Sequence, residues 1–140
     1  MSKAFIDTNV LAYACDDSSP TKKRVARELL DRFPKEAPPC ISTQVLQELY
    51  STLTRKIRVA AENAKELLLF YENFNVVTVT VDDINTAVDT SIRWQVSIWD
   101  ALILTSAKKA GCSVVYTEDL NDGQKYGSVK AVNPFKGAHG

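Results

Sequence analysis

Very short apolar runs, each followed by a stretch with helical periodicity, constrain this chain more than any other feature. The runs are Ala4-Phe5-Ile6, Cys40-Ile41, Val76 to Val81, Val114-Val115-Tyr116 and Ser128 to Val132. Runs of this length without polar alternation read as strands buried on both faces, the pattern of a parallel sheet covered by helices. The intervening stretches fit. Ser19-Pro20 opens a helix to about Phe33, with Val25, Leu29 and Phe33 at i, i+4 and i+8, and Pro34, Pro38 and Pro39 stop it. Ser42 or Thr43 caps the next helix, whose Val45, Leu46, Leu49, Leu53 and Ile57 form one stripe. Further helices cover about 60–74, Asp82 or Asp83 to Trp94, and Ser97 to Gly111, a suitable C′ residue. Glu118 to Gly123 is a turn-rich loop. Without repeat, low-complexity segment or linker, residues 1–140 read as one α/β domain with a mostly parallel sheet.

Such a chain buries roughly 70% of its unfolded surface and needs no staples. The rare residues exclude several chemistries. The single histidine, His139, sits in the C-terminal tail, a poor place for a triad or a zinc site. Cys15, Cys40 and Cys112 are scattered and odd in number, which argues against zinc and a disulfide framework and for a reducing, cytosolic setting. No apolar run reaches the roughly 20 residues of a membrane span. Lys+Arg and Asp+Glu number 17 each, so any nucleic-acid partner must be met by local patches.

In open parallel sheets, ligands bind beyond the carboxyl ends of the strands. Asp7 ends the first run, Asp119 lies just after Tyr116, Asp100 stands in the first turn of a helix, and Glu48 lies on the helix after the second run. Carboxylates gathered at one rim repel one another unless a cation neutralises them, and hard oxygen donors without His or Cys select Mg²⁺ or Mn²⁺. Each acid also has a plainer reading. Asp7 caps a short helix from Thr8. Asp100 completes a capping box with Ser97. Asp119 is a turn residue beside Glu118, Asn121, Asp122 and Gly123. Glu48 lies on a solvated helix flank, about 60° from Val45 on a helical wheel.

Four blocks carry a resemblance that runs nearly end to end. They are Phe5-Ile6-Asp7-Thr8-Asn9-Val10-Leu11, Ser42-Thr43-Gln44-Val45-Leu46-Gln47-Glu48, Ser97-Ile98-Trp99-Asp100-Ala101-Leu102-Ile103 and Tyr116-Thr117-Glu118-Asp119-Leu120. In this order and spacing the chain resembles the PIN-domain family, and within it the VapC-like toxin ribonucleases. The resemblance implies a three-layer α/β/α domain with a short, mostly parallel central sheet. It implies cleavage of RNA with Mg²⁺ or Mn²⁺ at Asp7, Glu48, Asp100 and Asp119, Glu118 being the adjacent alternative to Asp119. It further implies a homodimer and a small antitoxin protein that covers the groove and the acidic site.

Around the acids, Thr8 and Asn9 are candidates to orient Asp7 or a water, Asn9 equally to cap the helix, and Thr117 to bond a carboxylate or phosphate. Asp122 is an outer helper or part of the turn. Lys22, Lys23, Arg24 and Arg27, then Arg55, Lys56 and Arg58, then Lys108 and Lys109 form basic clusters that are either RNA contacts or solvated faces. Leu67 to Tyr71 is too apolar for one helix face and suggests a core helix, a subunit contact or an antitoxin groove. The rival readings are a catalytically silent PIN-like binding or scaffold module and a phosphatase of the haloacid dehalogenase type. The phosphatase needs a second Asp two residues after Asp7, where this chain has Asn9.

Overall fold

The computed structural model describes residues 3–138, so His139 lies outside the described residues. Six strands form one sheet: β1 (Ala4–Ile6), β2 (Cys40–Ser42), β3 (Asn75–Val77), β4 (Val114–Tyr116), β5 (Lys125–Tyr126) and β6 (Val129–Val132), in the order β3-β2-β1-β4-β6-β5. Every pairing is parallel except β5 with β6. All three residues of β1 and of β2 are buried, as unalternating apolar runs require.

The helices are α1 (Thr8–Tyr13), α2 (Pro20–Asp31), α3 (Thr43–Arg55), α4 (Ala61–Tyr71), α5 (Val81–Trp94) and α6 (Ile98–Lys109). The chain steps outward from β1 to β2 to β3, then returns to β4 on the other side of β1. Right-handed crossovers put helices from opposite steps on opposite faces. Helices α1 to α4 accordingly pack together, while α6 crosses the sheet with α5 outside it. In α6 every residue from Ala101 to Ala107 is buried, so this helix is the one sandwiched between layers.

Local chemistry sets the ends. The Ser42 hydroxyl accepts from Val45 N at 3.3 Å to start α3. Gly111, at φ +76°, follows the last residue of the α6 cap and takes the left-handed conformation there at no steric cost. The short helix from Thr8 that Asp7 caps forms as α1, held by buried Val10 and Leu11. Other sequence expectations shift. Strand β3 stops at Val77 because Thr80 and Asp83 close a capping box, so Val81 begins a helix despite its β-branched neighbours. Strand β5 pairs with β6 through a two-residue turn, Gly127-Ser128, with Gly127 at φ +68°. The Leu67-to-Tyr71 run is no core helix: Tyr71 is buried, whereas Leu69 and Phe70 are 53% and 59% exposed.

Candidate active site

β1 and β4 pair with Ile6 opposite Tyr116, and Asp7 N donates to Tyr116 O at 3.0 Å. The chain therefore leaves both strands on the same rim, at the point where strand order reverses, which is where open α/β sheets bind ligands. Asp7 is the first residue beyond β1, and Thr117, Glu118 and Asp119 are the first beyond β4.

The Asp7 side chain is buried and accepts three hydrogen bonds: from Thr8 N at 2.7 Å on Oδ1, and from Thr117 Oγ1 at 2.7 Å and Asn9 Nδ2 at 3.3 Å on Oδ2. It caps α1 and faces the cavity at once, so serving as the cap does not turn it away from the rim. Burial pushes its carboxyl up to about 7; the bonds from Thr117 and Thr8 pull down against this, and the charges of Asp119 and Glu48 push further up.

Asn9 does not cap α1. Its Nδ2 lies 3.3 Å from Asp7 Oδ2, 3.1 Å from Asp119 Oδ2 and 3.3 Å from Thr117 Oγ1. One amide thus holds the acids of two adjacent strands in place. Thr117 Oγ1 also accepts from Asp119 N at 3.1 Å, which fixes the backbone that carries Asp119.

Glu48 is half-buried, not on a solvated flank. The reason is the packing of α1 against α3, which brings Thr8 Oγ1 to donate to Glu48 Oε1 at 2.8 Å. Gln44, one turn earlier, donates to Glu48 Oε2 at 3.4 Å.

Asp100 enters from the opposite face of the sheet, in the first turn of α6. Its backbone N–H is capped by Ser97 Oγ at 3.1 Å, but the reciprocal bond, from the Ser97 N–H to its carboxylate, is not formed. The capping box is half made, and the carboxylate lines the cavity instead. Burial raises its pKa above the ordinary carboxylate value, the charge of Asp119 adds to this, the Ser97 hydroxyl opposes it, and Glu48 contributes the smallest push upward.

Glu118 and Asp119 have different surroundings. Glu118 accepts from Tyr13 OH at 3.0 Å and pairs with Lys22 Nζ at 3.1 Å. Its charge is matched inside the chain, whereas the Asp119 carboxylate accepts from the Asn9 amide and forms no ion pair among the described residues. Asp122 accepts from Asn133 N at 2.8 Å and pairs with Lys136 at 3.3 Å, which makes it part of the turn and not a helper at the site.

Asp7, Glu48, Asp100 and Asp119 line one cavity of about 440 Å³. Among the described residues, no three acidic, histidine or cysteine side chains close into a ready-made ligand cluster. The acids border one shared space.

Gln44, Thr52 and Trp99 also line the cavity, and the sequence alone assigns them no role. The readable signal was the spacing Gln44, Glu48, Thr52, Lys56, one face of α3 at i, i+4, i+8 and i+12. Of the basic clusters, the first is spent internally. Lys22 pairs with Glu118, Lys23 with Asp17, Arg24 with Glu28, and Arg27 donates to Ala14 O. Lys109 pairs with Asp83.

Among solved structures, a chain of a toxin-antitoxin complex from Klebsiella pneumoniae shares this fold with a TM-score of 0.71 at 20% identity, over 94% of this chain and 98% of that one. VapC20 of Mycobacterium tuberculosis, described as a sarcin-ricin loop cleaving toxin, gives 0.65 at 20% identity over 81% of this chain and 87% of its own. A chain of DNA-bound VapBC from Salmonella typhimurium gives 0.65 at 20% identity over 94% and 97%. No curated protein matches the sequence. At these identities the likeness is one of fold. The model of the PIN domain matches residues 4–124, from β1 to the turn before β5 and with all four acids inside it, and the chain belongs to the PIN-domain family.

Proposed function

We propose that the chain is an endoribonuclease that works with Mg²⁺ or Mn²⁺ held by Asp7, Glu48, Asp100 and Asp119. The observation that carries this reading is the convergence of four carboxylates, from both faces of the sheet, on one cavity at the strand-order reversal. The donor set fits such an ion. Every acidic donor is a hard oxygen, and no His or Cys lines the cavity among the described residues. The open spacing fits as well, because Mg²⁺ keeps several waters and takes only one or two carboxylates directly. When bound, the ion supplies charge neutralisation, activation of a water and stabilisation of a phosphodiester in its transition state.

The chain's own residues prepare this site. Asn9 and Thr117 hold Asp7 and Asp119 at a fixed separation, Thr8 aims Glu48, and Ser97 fixes the turn that presents Asp100. Asn9 also speaks against the phosphatase reading, because its amide donates to Asp7 and Asp119 and has no acidic proton to give. A scaffold has no use for four like charges around one cavity, so retention of the quartet favours catalysis over a silent module.

Toxin-antitoxin complexes among the structural relatives support a toxin role, with a small antitoxin as partner. The free Cys15, Cys40 and Cys112 suit a cytoplasmic setting. No helix among the described residues is long and apolar enough to cross a membrane. A groove of about 810 Å³ between α2 and α4, lined by Leu30, Phe33, Leu67, Phe70 and Phe74, has the apolar character that an amphipathic antitoxin helix needs. The homodimer contact belongs on α5, where Ile84, Val88 and Ile92 are exposed at i, i+4 and i+8.

The test is incubation of the purified, partner-free chain with structured RNAs, with Mn²⁺ and with excess EDTA. Internal cleavage that needs the metal and vanishes in Asp119→Asn supports the reading. Cleavage undiminished by the chelator, or by all four acid substitutions, overturns it.

A further inference from the structure

Trp99 is 62% exposed, yet it immediately precedes Asp100 and lines the acidic cavity. Its backbone is held firmly. The buried Gln44 donates through Nε2 to Trp99 O at 3.1 Å and to Glu48 Oε2 at 3.4 Å, so one amide ties the indole's base to an acid of the site. The ring is open while its attachment is fixed.

Lys56 lines the same cavity and continues the α3 face that carries Gln44 and Glu48. Two helical turns separate it from Glu48, roughly 12 Å along the axis. Among the described residues Lys56 is the one basic side chain lining the cavity, and it forms no ion pair. Lys22, Lys23, Arg24, Lys109 and Lys136 are all paired.

We infer that Trp99 and Lys56 read the substrate: Trp99 stacks on an unpaired base beside the scissile phosphate, and Lys56 holds a phosphate farther along the same strand. The inference rests on the ribonuclease reading of the cavity. A rim of carboxylates repels a polyanion, so affinity must come from the walls. Base stacking supplies it without regard to sequence, at about 1–3 kcal/mol per base. Inside a duplex the base faces are covered by their neighbours, so an indole platform selects single-stranded or looped RNA. The surroundings favour a nucleotide over a protein partner. Trp99 stands among polar and charged cavity residues, whereas the exposed aliphatic side chains Ile84, Val88 and Ile92 form their own stripe on α5.

The test uses the full chain in Ca²⁺ buffer and a short fluorescein-labelled single-stranded RNA of mixed sequence, with its duplex as control. The expected result is preference for the single strand and quenching of indole emission on binding. Trp99→Ala should weaken binding by about 5- to 150-fold, the range that stacking energies convert to. Trp99→Phe should keep part of the affinity and lose the quench, since Trp94 packs on Tyr126 away from the cavity. Lys56→Met should lower the slope of log K against log salt by about 0.7, one phosphate contact on a single strand. If wild type binds RNA and Trp99→Ala binds it equally well, the inference is overturned while the ribonuclease reading stands. If Trp99→Ala spares RNA binding but weakens self-association in sedimentation, Trp99 is a protein contact and the inference is equally overturned. If the wild type neither binds nor cuts any RNA, the ribonuclease reading falls and takes the inference with it.

Discussion

The Thr8 hydroxyl donates to Glu48 Oε1 across 2.8 Å, joining side chains 40 residues apart in the sequence. The bond fixes the one acid of the quartet that comes from a helix interior, on a side chain with several free torsions. Thr8→Val keeps the shape and removes the donor. Loss of an orienting partner of a metal ligand typically costs about 10- to 100-fold in metal affinity. Titration calorimetry with Mn²⁺ should show a loss in that range, and Thr8→Ser should restore most of it. Wild-type affinity in Thr8→Val would mean that Glu48 needs no aiming, or does not hold the ion.

Asp7 makes stability depend on pH in a direction opposite to most carboxylates. Its folded pKa is about 7 against an ordinary 3.8, mainly because burial disfavours the charge. Between these values the folded state holds a proton that the unfolded state has lost. Stability from this group is therefore complete below pH 4 and declines as pH rises to about 7, by an amount on the order of 4 kcal/mol. Asp7→Asn should flatten that decline. Asn can accept from Thr117 and Asn9 through its oxygen, but then turns its NH₂ toward Thr8 N, forfeiting a cap bond worth about 1 kcal/mol. Urea melts in EDTA from pH 4 to pH 8 should show the variant above wild type at the alkaline end only. A wild-type curve parallel to that of Asp7→Asn would contradict the assignment.

Much of this architecture was legible because short apolar runs and cap residues are local signals. Ala4 to Ile6, Val114 to Tyr116, the Ser42 cap and Gly111 all occur where their chemistry demands. What stayed hidden depended on packing between elements. A helical wheel left Glu48 on a solvated flank, since nothing in its own helix reveals that α1 will lie against it with Thr8 in reach. The choice between Glu118 and Asp119 was open because adjacent acids look alike until Lys22 and Tyr13 arrive from elsewhere. Strand β5 was hidden for another reason: two residues carry no periodicity, and only the Gly127-Ser128 turn marks it.

Exposed Ile84, Val88 and Ile92 lie on one face of α5, whose single buried residue is Ala87. A charge at the middle of this stripe should disrupt a dimer without touching the core. Val88→Glu is expected to be monomeric at tens of micromolar by sedimentation, with a melting temperature set by the monomer. The control is Leu69→Glu on α4, which should leave self-association intact. The reverse outcome would move the subunit contact to the Leu67-to-Tyr71 helix.

Glu118→Gln and Asp119→Asn should separate neighbours that the sequence alone cannot. The Glu118–Lys22 pair is partly exposed, so its loss should cost no more than about 1 kcal/mol of stability. Cleavage should fall only a few-fold, since Asn9 and Thr117 still hold the loop. Asp119→Asn should abolish cleavage and lose the Mn²⁺-induced rise in melting temperature, with little change in EDTA. Equal loss of activity in both variants would make Glu118 a member of the site.

Ser97 and Asp100 divide a motif that looks, in sequence, like one capping box. Ser97 Oγ bonds the Asp100 backbone N–H, while the Asp100 carboxylate leaves the Ser97 N–H alone and lines the cavity. The serine therefore carries the structural half of the motif and leaves the aspartate free to face the cavity. Ser97→Ala should lower stability by about 1 kcal/mol, as loss of an N-cap does, with or without metal. Asp100→Asn retains the capped N–H and removes a carboxylate whose pKa burial and Asp119 have raised. In EDTA at neutral pH it should melt at or above wild type, because relief of charge repulsion is not offset by a lost cap. In saturating Mn²⁺ the order should invert, because an ion that binds only the folded state stabilises it by about 2.7 kcal/mol at a hundredfold excess over Kd. The variant with one ligand fewer gains less. Melting curves of wild type and both variants, each with EDTA and with Mn²⁺, decide the matter. If Asp100→Asn falls below wild type in EDTA by as much as Ser97→Ala does, and Mn²⁺ raises both equally, Asp100 belongs to the helix cap and not to the metal site.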